Sequence, residues 1–122
     1  MNQRIIRPRT KQEYRFNRLL IGTYVRGLAK YIGNYEYEYE WCGSTYDLHT
    51  IIIPDVGKII FSYYYDSNLL AISFNESRNI VYFHAYHNIN YRSISEAVLK
   101  YANGQVDANE AFNRICEIRG HR

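Results

Sequence analysis

Residues 35–41 read Tyr-Glu-Tyr-Glu-Tyr-Glu-Trp, a strict alternation of ring and acid. Successive side chains along a β-strand point to opposite faces. A strand here gathers Tyr35, Tyr37, Tyr39 and Trp41 on one face and Glu36, Glu38 and Glu40 on the other. Wound at about 100° per residue, the same segment would scatter both sets around a helix axis. The chain is therefore expected to build a sheet with rings on one face and acids on the other. The rings either pack under the first helix or, with the faces reversed, form an exposed Tyr platform suited to protein binding.

Further strands follow the same logic. Residues 34–42, 46–53, 58–65, 69–74 and 80–87 form five extended runs separated by turn signals at Gly43-Ser44, Pro54-Asp55-Val56-Gly57, Asp66-Ser67-Asn68 and residues 75–79. Connections this short join antiparallel neighbours, because a parallel pair needs a long crossover. Helices flank the strands. Thr10 and Glu13 have capping-box spacing for a helix over 10–32 stopped by Gly33. Ser93 with Glu96 starts a second helix that ends near Asn103-Gly104, and Asp107 with Glu110 starts a third that ends at Gly120. The expected fold class is α+β: an N-terminal helix, a five-stranded antiparallel meander and a C-terminal helical hairpin, with the helices packed on one sheet face. Residues 1–9, with Pro8, read as a flexible basic arm before a single domain over 10–122.

Charge is segregated along the chain. Residues 1–33 carry eight Lys or Arg against one acid, whereas residues 34–55 carry five acids and no Lys or Arg, within a net charge of only +3. On the first helix, Tyr14, Leu20, Ile21, Tyr24, Val25, Leu28, Tyr31 and Ile32 fall on one side and Lys11, Arg15, Arg18, Arg26 and Lys30 on another. The apolar side is expected to pack on the sheet, turning the basic side to solvent. Two partner-binding surfaces are thus expected: the basic face of Lys11, Arg15, Arg18, Arg26 and Lys30, and the acidic strand of Glu36, Glu38 and Glu40. Gly22 and Gly27 weaken that helix by about 1 kcal/mol each, which marks a bend or a close approach.

The remaining motifs point away from chemistry. There is no G-x-S-x-G, phosphate-binding glycine loop, dinucleotide glycine fingerprint or H-E-x-x-H. His84 and His87 are three apart on one strand, so they point to opposite faces and do not chelate one ion. Residues 103–112 resemble the later half of an EF-hand loop, but Leu99 and Tyr101 stand where its first carboxylates belong, and a glycine stop followed by a capping box explains the segment. No metal and no cofactor are expected, and Cys42 and Cys116 read as free thiols. Apolar runs are too short for a membrane span, and no signal-peptide core follows the basic start, so the expected location is the cytoplasm.

In general character the chain resembles small phage or mobile-element accessory proteins, of which anti-CRISPR proteins are the best-known group: compact, rich in Tyr, Ile, Asn and Arg, without catalytic motifs. The resemblance implies no role for any one residue. It implies a non-enzymatic inhibitor or modulator that binds a host protein stoichiometrically, such as a CRISPR effector or another nucleic-acid enzyme. The alternatives are a small nucleic-acid-binding protein using the arm and basic helix, and an oligomer-forming structural protein.

Overall fold

The computed structural model describes residues 11–33, 35–43, 45–75, 78–85 and 89–120, with side chains from Arg15 onward. The basic arm, Thr10, the Lys11 side chain and His87 lie outside the described set. The element order is α1 (Lys11–Ile32), β1 (Glu36–Cys42), β2 (Tyr46–Ile53), β3 (Gly57–Tyr64), β4 (Leu69–Phe74), β5 (Ile80–His84), α2 (Tyr91–Ala102) and α3 (Ala108–Gly120). The strands form one sheet in the order β1-β2-β3-β4-β5, each neighbour antiparallel. This is the expected α+β meander. Asp55, Asn68 and Asn75 take positive φ where the hairpins turn (65°, 56° and 55°), a conformation that Asn and Asp tolerate through local side-chain hydrogen bonding.

Alternation along the strands sorts the two faces. On β2, Asp47, His49, Ile51 and Ile53 are buried while Tyr46, Leu48, Thr50 and Ile52 are half-buried. The buried set joins Ile59, Phe61 and Tyr63 of β3, Leu70, Ile72 and Phe74 of β4, and Val81 and Phe83 of β5 in one core. All three helices close that core, through Ile21, Val25, Leu28 and Ala29 of α1, Ile94, Ala97, Val98 and Tyr101 of α2, and Ala111 and Ile115 of α3. The register places Tyr37 opposite Ile51 and Tyr39 opposite His49, so the rings of β1 lie on the helix side and its glutamates on the open side. Among the described residues no helix is long and apolar enough to cross a membrane.

Two expectations are corrected. The inner stripe of α1 is rotated toward Arg18: Leu20 is 42% and Tyr31 77% exposed, while Arg18 faces the sheet. The α2 cap is Asn90 rather than Ser93, because the Asn90 side chain accepts from the Ser93 amide at 3.1 Å. The helix thereby starts early enough to bring the Tyr91 ring within 4.5 Å of the Tyr24 ring. The Asp107–Glu110 capping box forms as expected, with reciprocal bonds of 2.8 and 2.9 Å.

Gly57 ties the β2–β3 hairpin to α2. At φ +150°, a Cβ there would lie 2.1 Å from both the Tyr101 hydroxyl and Asn75 Oδ1. Tyr101 is buried and Asn75 Oδ1 accepts from the Lys58 amide at 2.8 Å, so neither atom yields cheaply. Gly57→Ala is expected to destabilise by about 2 kcal/mol or more, and Gly27→Ala, with nothing within 4 Å, to stabilise by about 0.5–1 kcal/mol. Urea unfolding measures both; a Gly57→Ala midpoint equal to wild type would contradict the packing described.

Candidate functional site

β2 carries two polar groups on its core-facing side, Asp47 and His49, each only 2% exposed. A carboxylate on a buried sheet face needs a cation and hydrogen-bond donors to remain ionised. Both come from neighbouring elements. Arg18 of α1 binds Asp47 in a two-pronged contact, Nε to Oδ2 at 2.8 Å and Nη2 to Oδ1 at 3.1 Å. The Tyr39 hydroxyl donates to Oδ1 at 2.8 Å, and the Tyr65 hydroxyl donates to the same oxygen. Burial alone would raise the Asp47 carboxyl, but the bonds from Arg18, Tyr65 and Tyr39 and the Arg18 charge outweigh it and hold it below the ordinary value. Arg18 is raised in turn, first by its bond to Asp47. Its guanidinium carbon also sits 5.0 Å above the Tyr65 ring centroid, a cation–π contact.

His49 lies one step along the same face. Its Nδ1 is 2.7 Å from the Tyr37 hydroxyl and its ring packs against Tyr39 at 5.1 Å between centroids. Gly22 of α1 lies beside it: a Cβ there would meet His49 Cε1 at an ordinary contact distance of 3.6 Å and Arg26 Nη1 more tightly, at 3.1 Å. The close approach expected at this glycine is therefore between α1 and two side chains, with the Arg26 guanidinium folded back over the missing Cβ. Burial pushes the His49 imidazole down from 6.5 to about 4; Asp47 opposes this, and the charges of Arg26 and Arg18 add to it.

Arg15, Arg18, Leu19, Gly22 and Arg26 from α1, Tyr39 from β1, and Asp47 and His49 from β2 together line an open recess of about 220 Å³. Arg15 and Arg26 are exposed at its rim, and Lys30 continues the exposed basic face one turn on. Of the expected basic residues with described side chains, Arg15, Arg26 and Lys30 thus face solvent. Arg18 does not: its placement in a solvent-facing stripe is corrected by its pairing with Asp47.

Glu36, Glu38 and Glu40 are exposed, opposite Ile52, Thr50 and Leu48, on the side of the sheet away from the recess. They also charge an edge strand, which discourages pairing with another sheet edge. His84 stands on β5 opposite Leu69, on that same open side, and its strand is not a neighbour of β2, so it does not meet His49 or Asp47. Among the described residues no group of His, Cys, Asp or Glu could hold a metal ion, and Cys42 and Cys116 are free thiols.

Asp47 and His49 carry no recognisable motif in the sequence. A signal was present: both alternate with Ile51 and Ile53, which puts them on the buried face. No protein family, curated protein or solved structure matches the chain, so the site is read from its own chemistry within a two-layer α+β fold.

The depressed His49 value has a consequence for stability. As pH falls, the unfolded chain takes up the proton near 6.5 and the folded chain only near 4. His49 therefore contributes full stability above about 6.5, lost progressively toward pH 4. Between pH 7 and 4.5 the wild type should lose about 2 kcal/mol more than His49→Phe, from the size of the pKa separation. Urea unfolding at the two pH values reads this directly, and an equal loss in both proteins would contradict a buried neutral imidazole.

Proposed function

We propose that this chain is a binding protein, not an enzyme, that docks on an acidic, partly apolar surface of a protein partner through the outer side of α1 and the end of β1. One observation carries the reading. The exposed side of α1 sets Phe16 (62% exposed), Leu19 (64%), Leu20 and Tyr31 beside Arg15, Arg26 and Lys30, and Trp41 (63%) projects from the helix side of β1. Exposed aromatic and aliphatic side chains interleaved with arginine are the composition of protein-binding hot spots. Leu19 and Leu20 gain nothing from phosphates but gain by burial against an apolar surface.

The apolar content of this face favours a protein over bare nucleic acid as the main ligand. With Arg18 committed to Asp47, the described side chains of α1 offer Arg15, Arg26 and Lys30 as exposed cations. The partner class favoured is a host nucleic-acid-handling protein, the target that the resemblance to small phage accessory proteins implies. Glu36, Glu38 and Glu40 then form a second contact surface, suited to a basic groove of the same partner.

Capture from bacterial lysate treated with nuclease tests the proposal. Wild type should retain a nucleic-acid-handling protein that the Phe16→Ser/Leu19→Ser/Trp41→Ser variant and Arg15→Glu both lose. Retention that disappears with nuclease would favour the nucleic-acid alternative. Equal retention by wild type and variants would overturn the docking face.

A second reading has its own observation. The open side of the sheet carries Leu48, Ile60, Leu69, Ile80 and Tyr82, with Ile80 and Tyr82 39% and 44% exposed. An apolar sheet face of this kind suits self-association. Sedimentation at high concentration decides it: a monomer would end this reading, and a dimer abolished by Tyr82→Glu would support it.

A further inference from the structure

His49 has a second ring nitrogen, Nε2, that is buried and without a hydrogen-bond partner among the described residues. Its surroundings decide whether that atom is a donor or an acceptor. The Tyr37 hydroxyl lies 2.7 Å from His49 Nδ1, and we assign it as the donor of that bond. Burial raises the Tyr37 hydroxyl above its ordinary value, which keeps that hydrogen in place. An imidazole that is neutral and accepts at Nδ1 carries its own proton on Nε2.

The lining of the recess thus includes a buried N–H donor, on a residue that is 2% exposed. A donor left so costs on the order of 1–3 kcal/mol, and such groups are rare in folded proteins. A protonated Nε2 cannot ligate a metal ion; it calls for an acceptor. The rest of the lining says which kind. Three guanidiniums, Arg15, Arg18 and Arg26, stand against one carboxylate, Asp47, leaving two positive charges. Arg18 and Asp47 satisfy each other, so Arg15 and Arg26 hold the excess. A phosphate monoester carries a charge of about −1.5 to −2 near neutral pH and three acceptor oxygens, and guanidinium forks match those oxygens.

We infer that the recess between α1 and the β1–β2 hairpin is a binding site for a doubly charged tetrahedral oxyanion, inorganic phosphate or a phosphate monoester, held by Arg15, Arg26 and the His49 Nε2–H. The inference stands apart from the protein-docking reading, since it concerns a small anion and the isolated chain. Gly22 is part of the site. An alanine would favour the helix, yet its Cβ would press on Arg26 Nη1 at 3.1 Å and shift that guanidinium at the rim of the recess.

The test is a titration of the full-length protein with inorganic phosphate, O-phosphoserine, dimethyl phosphate and acetate, followed by NMR at the Gly22 amide and the His49 Nε2–H. The result expected is a saturable shift with phosphate or phosphoserine, and a response at least about tenfold weaker with dimethyl phosphate and acetate, as loss of one charge-assisted contact implies. Arg26→Met and His49→Phe should each weaken phosphate binding by about tenfold or more. Should His49→Phe fail to fold, Gly22→Ala serves in its place, with a stabilised helix and weakened binding. Response to inorganic phosphate identifies a free anion as ligand, and response to phosphoserine alone identifies a phosphate on an organic group. No saturable shift, an equal response to all four anions, or folded variants that bind like wild type would each overturn the site.

Discussion

The contact between Arg18 and Asp47 is the constraint on which the arrangement of this molecule rests. Asp47 is buried near the start of β2 on the core-facing side of the sheet, where an uncompensated carboxylate would cost several kcal/mol. Two tyrosine hydroxyls and one guanidinium compensate it. The guanidinium comes from the helix, so the pairing fixes the rotation of α1 about its own axis. Asn17, one residue before, bonds Asn68 at 3.0 Å, and Tyr24 bonds Ser95 of α2 at 2.8 Å, so the same rotation is held along the helix. With α1 so turned, Arg15 and Arg26 stand at the rim of a recess, and Phe16, Leu20 and Tyr31 are left on its outer side.

That rotation separates what the sequence shows plainly from what it hides. The Tyr/Glu alternation identifies β1 and both of its faces, because a period of two has only one solution in a strand. The short turns identify the meander, and Asp107 with Glu110 identifies the α3 cap, since each depends on residues close in sequence. The inner stripe of α1 is another matter. A helical projection places Arg18 near other cations and Leu20 near other apolar residues, yet the sheet decides which arc faces inward. Its choice is driven by a buried acid on a strand 29 residues away. The Asn90 cap is hidden for a related reason: Ser93 and Glu96 have the right local spacing, but packing of Tyr91 on Tyr24 goes with a helix start further upstream.

The same contact changes the meaning of the charge segregation. Seen along the chain, a basic stretch precedes an acidic one, which suggests a polarised surface. In the fold, the cation–anion contact that the described residues make between the two stretches, Arg18 with Asp47, is turned toward the sheet. What remains outside is a mixed face on α1, part cationic and part apolar, and a row of glutamates across the sheet from it. The mixed face is what supports the proposal of a protein partner. His49, beside Gly22 and bonded to Tyr37, adds the donor proposed for the recess that Arg15 and Arg26 line.

A double-mutant cycle on Arg18→Met and Asp47→Leu, read by urea unfolding at pH 7, tests this account most directly. A buried ionic anchor predicts that Asp47→Leu and Arg18→Met each destabilise, and that the double variant is more stable than their sum by about 2 kcal/mol or more. A coupling below about 0.5 kcal/mol, the range of exposed ion pairs, would contradict the claim that this contact sets the helix on the sheet.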